Sequence, residues 1–194
     1  MNLPNRLTLL RIVLVPLYMV LVCVEFPFHH TAALAVFVIA SLTDLLDGKI
    51  ARSRGLVTNL GKFLDPIADK LLTTASFLLF LVWDCIDVWA VMLILAREFM
   101  VTSVRLMAAG DGTVVAASFA GKLKTVMQYI AIIAMTLAMQ WRELCVSFWA
   151  WMPAAAYDVP LVICRVLIWI AVVFTVWSGF QYFWQFRRYF SEDR

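Results

Sequence analysis

Four aspartates and five basic residues fall within positions 41–70, SLTDLLDGKIARSRGLVTNLGKFLDPIADK, of a chain that is otherwise largely apolar. Asp44 and Asp47 are three residues apart, and Asp65 and Asp69 are four apart. On a helix each pair shares a face. Gly48 follows Asp44 by four, Ala51 follows Asp47 by four, and Gly61 precedes Asp65 by four. Both faces therefore set carboxylates beside very small side chains. If the two faces meet, four carboxylates converge, and burying them bare would be costly. A divalent cation removes the repulsion, and an all-oxygen ligand set suits Mg²⁺ or Mn²⁺ rather than zinc. Metal beside a floor of glycine and alanine suits a phosphoanhydride, whose charge it neutralises. Taken singly the aspartates have plainer readings, Asp44 as a polar surface residue and Asp65 as an N-cap before Pro66. The joint periodicity is what argues for chemistry.

The elements that must position these groups are expected to be membrane helices. The chain has 194 residues, 64% hydrophobic and 15% charged, with a mean hydropathy of +0.89. Soluble domains are about a quarter charged. The net charge is only +3 and there is no basic tract, so nucleic acid is not an expected partner. The fold class expected is all-α: one domain, 1–194, built as a membrane bundle of six transmembrane helices. A bilayer core takes about 20 apolar residues, and six stretches qualify, 9–26, 32–51, 66–83, 88–108, 119–139 and 159–186. The preceding NLPNRLTLL reads as an amphipathic helix on the membrane surface. The first span is expected to be retained, because VLVCVEFPF offers no small-x-small cleavage site. Pro66 suits a first helical turn, so the third helix is expected to begin shortly before Asp65.

Lysine and arginine set the orientation. Lys49, Arg52, Arg54, Lys62 and Lys70 fall between spans two and three, and Arg105, Lys122 and Lys124 flank the connection between four and five. Arg6, Arg11, Arg187, Arg188 and Arg194 lie at the termini; the opposite loops hold Arg142 with Asp84, Asp87, Glu143 and Asp158. Both termini are thus expected on the cytoplasmic side. Trp83, Trp89, Trp141, Trp149 and Trp151 mark the outer ends, and MPAAAYDVP reads as an outer loop. Cys23, Cys85, Cys145 and Cys164 are far apart and have neither zinc nor disulfide spacing. Arg97 and Glu98 lie inside the fourth span, where charge is expensive and usually functional; they either pair with each other or face a cavity. Arg165 in the sixth span reads as a snorkelling side chain.

Asp44-x-x-Asp47-Gly48-x-x-Ala51-Arg52, eight residues, then Gly61-x-x-x-Asp65-x-x-x-Asp69 resembles the signature of the CDP-alcohol phosphatidyltransferase family at all eight specified positions. NLPNRLTLLRI, SLTDLLDG, KFLDPIADKLL, AREFMVTSVRL and GKLKTVMQ resemble the bacterial branch of that family that uses glycerol 3-phosphate, over roughly residues 1–130. The resemblance implies transfer of a phosphatidyl group from CDP-diacylglycerol to sn-glycerol 3-phosphate, with release of CMP. It implies that Asp44, Asp47, Asp65 and Asp69 hold two Mg²⁺ or Mn²⁺, with Asp69 also the base that deprotonates the acceptor. It further implies a homodimer in the bacterial inner membrane, with the site facing the cytoplasm. On this reading Gly48, Ala51 and Gly61 give the cytidine room, and Arg52 contacts either a motif aspartate or a phosphate. Asn5 and Thr8 either cover the nucleotide or cap a helix. Arg105, Lys122 and Lys124, with Arg97, are the candidate cations for the acceptor phosphate; plain topological anchoring is the other reading of Lys122 and Lys124. Three alternatives compete: a sister enzyme using serine, inositol phosphate or phosphatidylglycerol; an ion channel or transporter, whose acids usually sit near the midplane; and a purely structural membrane protein.

Overall fold

The computed structural model describes residues 3–54, 59–110, 119–149, 151 and 153–187. Side chains are described for these apart from 3–4, 45–54, 59–63, 65–66, 69, 106, 109–110, 154 and 185–186. The described residues form six α-helices and no strand: α1 Leu3–Cys23, α2 His29–Arg54, α3 Asn59–Val82, α4 Val88–Gly110, α5 Phe119–Phe148 and α6 Ala154–Phe186.

Several boundaries differ from expectation: α5 runs on to Phe148 rather than ending at 139, and α2 is longer by three residues at each end. α1 is unbroken from Leu3 and carries Pro16 within it, so the expected surface helix and first span are one element. Asn5, Thr8 and Arg11 recur every three residues, and all three are buried. The amphipathic pattern is real, but its polar side faces the protein interior. α3 begins at Asn59, so Pro66 lies inside the helix rather than in its first turn. An interior proline forfeits its own backbone bond, which neighbouring groups in a bundle can replace. α6 begins at Ala154, with Pro153 as an extended N-cap residue (φ −64°, ψ 143°), so most of the expected outer loop is helical. Three successive alanines favour that start. Pro160, also inside α6, frees the carbonyl four residues earlier, that of Ala156. The Trp141 indole N–H donates to that carbonyl at 3.3 Å.

α1 packs on α2 and α3, α2 on α5, and α6 on α4 and α5. The centre is filled by Tyr18, Phe37, Phe77, Phe80, Ile132 and Met135. Ala33, Ala40, Ala68, Ala90, Ala131 and Ala171 are fully buried, the small residues that let helix backbones approach closely in a membrane. Buried hydroxyls are satisfied within their own helices: Ser41, Ser76, Thr136 and Thr175 donate to the carbonyls of Phe37, Leu72, Ile132 and Ala171. The outside, by contrast, shows Val13, Val20, Val162, Val173, Phe180 and Trp184. So large an apolar surface is a liability in water and matches lipid. α1, α5 and α6 contain segments long and apolar enough to cross a membrane: 5–23, 119–148 and 155–184. The chain is a membrane protein.

At one end of the bundle the α3–α4 turn passes through Asp84 at φ 57°, and Cys85 N–H donates to the Phe80 carbonyl at 2.8 Å, a left-handed helix C-cap. Arg165 does not simply snorkel. Its guanidinium donates to the carbonyls of Cys85, at 2.9 Å, and of Asp84. The four cysteines are free thiols, Cys23 exposed and the others buried. Burial pushes the Cys85 thiol up despite the nearby Arg165 and Arg142, which keeps it protonated and inert.

Candidate active site

The antiparallel pairing of α1 and α2 brings the buried stripe of α1 against the aspartate-bearing half of α2. Arg11 Nη1 lies 2.6 Å from Asp44 Oδ1. Arg11 is 1% exposed whereas Asp44 is partly open, so the arginine acts as a fixed wall that holds one carboxylate oxygen. Thr8 and Asn5 are buried about one and two turns further along the same side of α1. Asp47, Gly48, Ala51 and Arg52 continue α2, and Gly61, Asp65 and Asp69 lie in α3; their side chains fall outside the described residues.

Beyond Asp69 the next residue, Lys70, reaches across to α4. Its ammonium donates to Thr102 Oγ1 at 2.6 Å and lies 3.5 Å from Glu98 Oε2. Glu98 is the hub of a cation cluster. Lys124 of α5 donates to its Oε1, and Arg97 Nη1 lies 3.4 Å from the same oxygen. Arg97 and Glu98 therefore do both things expected of them: they pair, and they line a cavity. That cavity, of about 340 Å³, is bounded by Lys70, Arg97, Glu98, Arg105, Lys122 and Lys124 among others. Among the described residues, five cations face one acid. All four residues expected to hold an acceptor phosphate, Arg97, Arg105, Lys122 and Lys124, line this one space.

α6 positions the two arginines. Arg105 donates to the Tyr182 hydroxyl at 2.5 Å and lies 5.2 Å over its ring. Arg97 lies 5.7 Å from the same ring and donates to Ser178 Oγ. Gly179 makes this possible: a Cβ there would meet Arg97 Cγ at 3.0 Å. These bonds fix the guanidinium planes yet leave Nε of Arg97 and Nε of Arg105 buried without a hydrogen-bond partner. Buried donors of that kind are uncommon in a finished protein interior. The site has donor capacity left for an anion.

Sequence reasoning missed Arg11, Lys70, Thr102, Ser178 and Tyr182 as site-end groups. For Arg11 a signal existed, since a charge within an apolar helix calls for a partner. Tyr182 carries none, because aromatic side chains are common throughout α6, and a single serine such as Ser178 marks no site by itself.

The family model described as CDP-alcohol phosphatidyltransferase matches residues 1–177. A Bacillus subtilis (strain 168) protein named CDP-diacylglycerol--glycerol-3-phosphate 3-phosphatidyltransferase is 45% identical over 194 residues, covering 94% of this chain and 93% of its own. A Rickettsia typhi protein of the same name is 34% identical over 189 residues, covering 97% and 99%. A Mycobacterium tuberculosis protein named probable phosphatidylglycerophosphate synthase is 43% identical over 135 residues, covering 68% and 64%.

Proposed function

The chain belongs to the CDP-alcohol phosphatidyltransferase family, and from that premise we propose that it transfers the phosphatidyl group of CDP-diacylglycerol to sn-glycerol 3-phosphate, giving phosphatidylglycerol phosphate and CMP. The relatives that carry this activity in their names align over nearly the whole chain. The observation that carries the choice of acceptor is the cation excess in the α4–α5 cavity. Among the described residues Lys70, Arg97, Arg105, Lys122 and Lys124 stand against Glu98 alone, and two guanidinium Nε donors there are unpartnered. A dianionic acceptor meets that demand, whereas serine would leave charge-assisted bonds unmade.

The donor set fits a divalent metal pair. Asp44, the one motif aspartate with a described side chain, keeps one oxygen on Arg11 and is partly open, and carboxylate oxygens are what Mg²⁺ and Mn²⁺ select. Held by Asp44, Asp47, Asp65 and Asp69, two such ions would neutralise charge on the pyrophosphate and on the departing CMP. The protein's own groups do the rest. Asp69 takes the proton from the acceptor hydroxyl, whose oxygen attacks the lipid-side phosphorus as the bond to CMP breaks. Lys70, adjacent to Asp69, links that base to the acceptor cavity. Arg97, Arg105, Lys122 and Lys124 hold the acceptor phosphate, and Glu98 keeps the cations poised and soluble in the absence of substrate. Gly48, Ala51 and Gly61 leave room for cytidine, with Asn5, Thr8 and Arg52 at its margins.

We read all six helices as spans, with the site end in the cytoplasm and the chain as a homodimer in a bacterial inner membrane. At 21 to 33 residues each helix is long enough for a hydrocarbon core of about 30 Å, and the Lys/Arg excess lies at the site end. The test is an acceptor panel. Purified protein with CDP-diacylglycerol and Mg²⁺ or Mn²⁺ should release CMP with glycerol 3-phosphate and scarcely at all with serine, glycerol or inositol phosphate. Faster release with any of these would transfer the chain to a sister activity, and release independent of divalent cation would remove the metals from the mechanism.

A further inference from the structure

The two histidines that open α2 take no part in the reaction above. His29 and His30 are 5% and 6% exposed, and Glu143 of α5 faces them. One ligand atom from each of the three lies within 4.8 Å of the others. His29 Nδ1 is 3.1 Å from the Leu21 carbonyl. A carbonyl only accepts, so Nδ1 carries the proton. The other nitrogen, Nε2, then points at Glu143 Oε2, 3.4 Å away. A neutral Nε2 and a carboxylate are both acceptors, so the pair needs a proton or a cation between them. Bonds to zinc of about 2.0–2.2 Å separate two tetrahedral ligands by roughly 3.4 Å, the spacing seen here. His30 Nδ1 is buried with no hydrogen-bond partner, which a protein interior seldom leaves so.

The surroundings are those of ligands held in advance. The Leu21 carbonyl fixes one imidazole from behind. Gln140 Nε2 donates to Glu143 Oε2 at 3.0 Å, and Gln140 Oε1 in turn accepts from Thr31 N and Oγ1 at 3.1 and 3.0 Å. Outer partners of this kind orient metal ligands and raise their affinity. A cavity of about 540 Å³, lined by His30, Glu143, Trp83 and Arg142 among others, gives access. Arg142, which lines the same cavity, has its Nε engaged with Asp158 at 3.5 Å.

We propose that His29, His30 and Glu143 form a divalent-metal site of zinc type at the end of the bundle opposite the motif aspartates. Two imidazoles and a carboxylate are a set that zinc accepts, with a fourth position for water, whereas Mg²⁺ selects oxygen. Fifteen residues of α2 separate His29 from Asp44, about 22 Å of helix, so the two sites are independent and this one stands whether or not the transferase reading does. Bound metal would clamp the start of α2 to the end of α5.

The test uses the full-length protein in detergent with excess Mg²⁺ to saturate the aspartates. Zinc is added, the protein desalted, and the retained metal measured by mass spectrometry. The parent should retain stoichiometric zinc. Losing an outer partner alone weakens metal binding about 10- to 100-fold, so His30→Ala and Glu143→Gln should each weaken it about 100-fold or more, and Asp44→Asn should leave it unchanged. Cobalt bound to the parent should give the intense visible absorption of a tetrahedral ion, a readout that requires no variant to fold. No zinc retained by the parent would mean that a protonated His29 simply pairs with Glu143, and would overturn the proposal. So would equal retention by the His30 and Glu143 variants, or a weak octahedral cobalt spectrum.

Discussion

The two ends of the bundle use arginine in opposite ways. At the α3–α4 turn Arg165 is committed to backbone: two carbonyls of one tight turn accept its donors. Nearby Arg142 has its own acid, Asp158. At the other end Arg97 and Arg105 are fixed by Ser178 and Tyr182, yet each keeps a buried Nε without a partner, and among the described residues Glu98 is the only acid lining a cavity with five cations. A charge satisfied within the protein holds the fold together. A charge held rigidly but left in excess of the acids around it is what recognition of an anion requires. The contrast separates cations that look alike in the sequence.

The sharpest way to break the comparison is to remove the proposed base. Asp69→Asn should reduce turnover by roughly 10²- to 10⁴-fold, with donor binding surviving better than the chemical step, and Asp65→Asn should fall similarly. Arg142→Ala at the other end should leave kcat/KM near that of the parent. Near-normal turnover in Asp69→Asn would defeat the assignment of the aspartates.

Next in size come the cavity cations. A hydrogen bond to a charged group contributes about 1.5–3 kcal/mol, so Arg105→Ala or Lys122→Ala should weaken glycerol 3-phosphate use by roughly 10- to 100-fold while the CDP-diacylglycerol KM stays in place. Titrating both substrates side by side decides it. If acceptor kinetics were unchanged in both variants, these residues would revert to topological anchors.

That Asp44/Asp47 and Asp65/Asp69 lie in phase on two helices was legible because helix period and residue type are both local. So were the all-helical class and Arg97/Glu98 as charges with a purpose. What could not be read was direction. Asn5, Thr8 and Arg11 form a polar stripe that suits a membrane surface as well as a buried wall, and only the packing of α1 on α2 chooses between them. The start of α6 was hidden by proline, which signals a break unless another side chain takes up the freed carbonyl, as Trp141 does for Ala156. Arg165 could not be told from a snorkelling side chain until the α3–α4 turn was seen beneath it.

Arg165→Ala probes the satisfied end. It leaves the carbonyls of Asp84 and Cys85 without the donors they now have, and should lower stability by about 1–3 kcal/mol, seen as a lower Tm in detergent. Both KM values should be unchanged. A large loss of acceptor affinity with unchanged Tm would erase the distinction between the two ends.

The smallest expected effect is the most specific. Tyr182 touches both arginines of the cavity: its hydroxyl accepts from Arg105, and its ring lies under Arg105 and beside Arg97. Tyr182→Phe keeps the ring, and with it the packing and the cation–π contact, and deletes only the acceptor atom. Arg105 then loses its tether and gains a freed donor. A neutral or singly charged hydrogen bond of this kind is worth about 0.5–3 kcal/mol, but the arginine can still reach a phosphate and the freed donor can bind it, so the net loss should sit at the low end, roughly 2- to 10-fold in kcat/KM for glycerol 3-phosphate. Because the residue acts through Arg105, its effect should vanish in an Arg105→Ala background. Independent sites add, whereas residues in one network do not, so a double-mutant cycle reads the coupling directly. Full additivity of the two changes would show that Tyr182 supports the fold alone, and that the orientation of Arg105 is set by something other than α6.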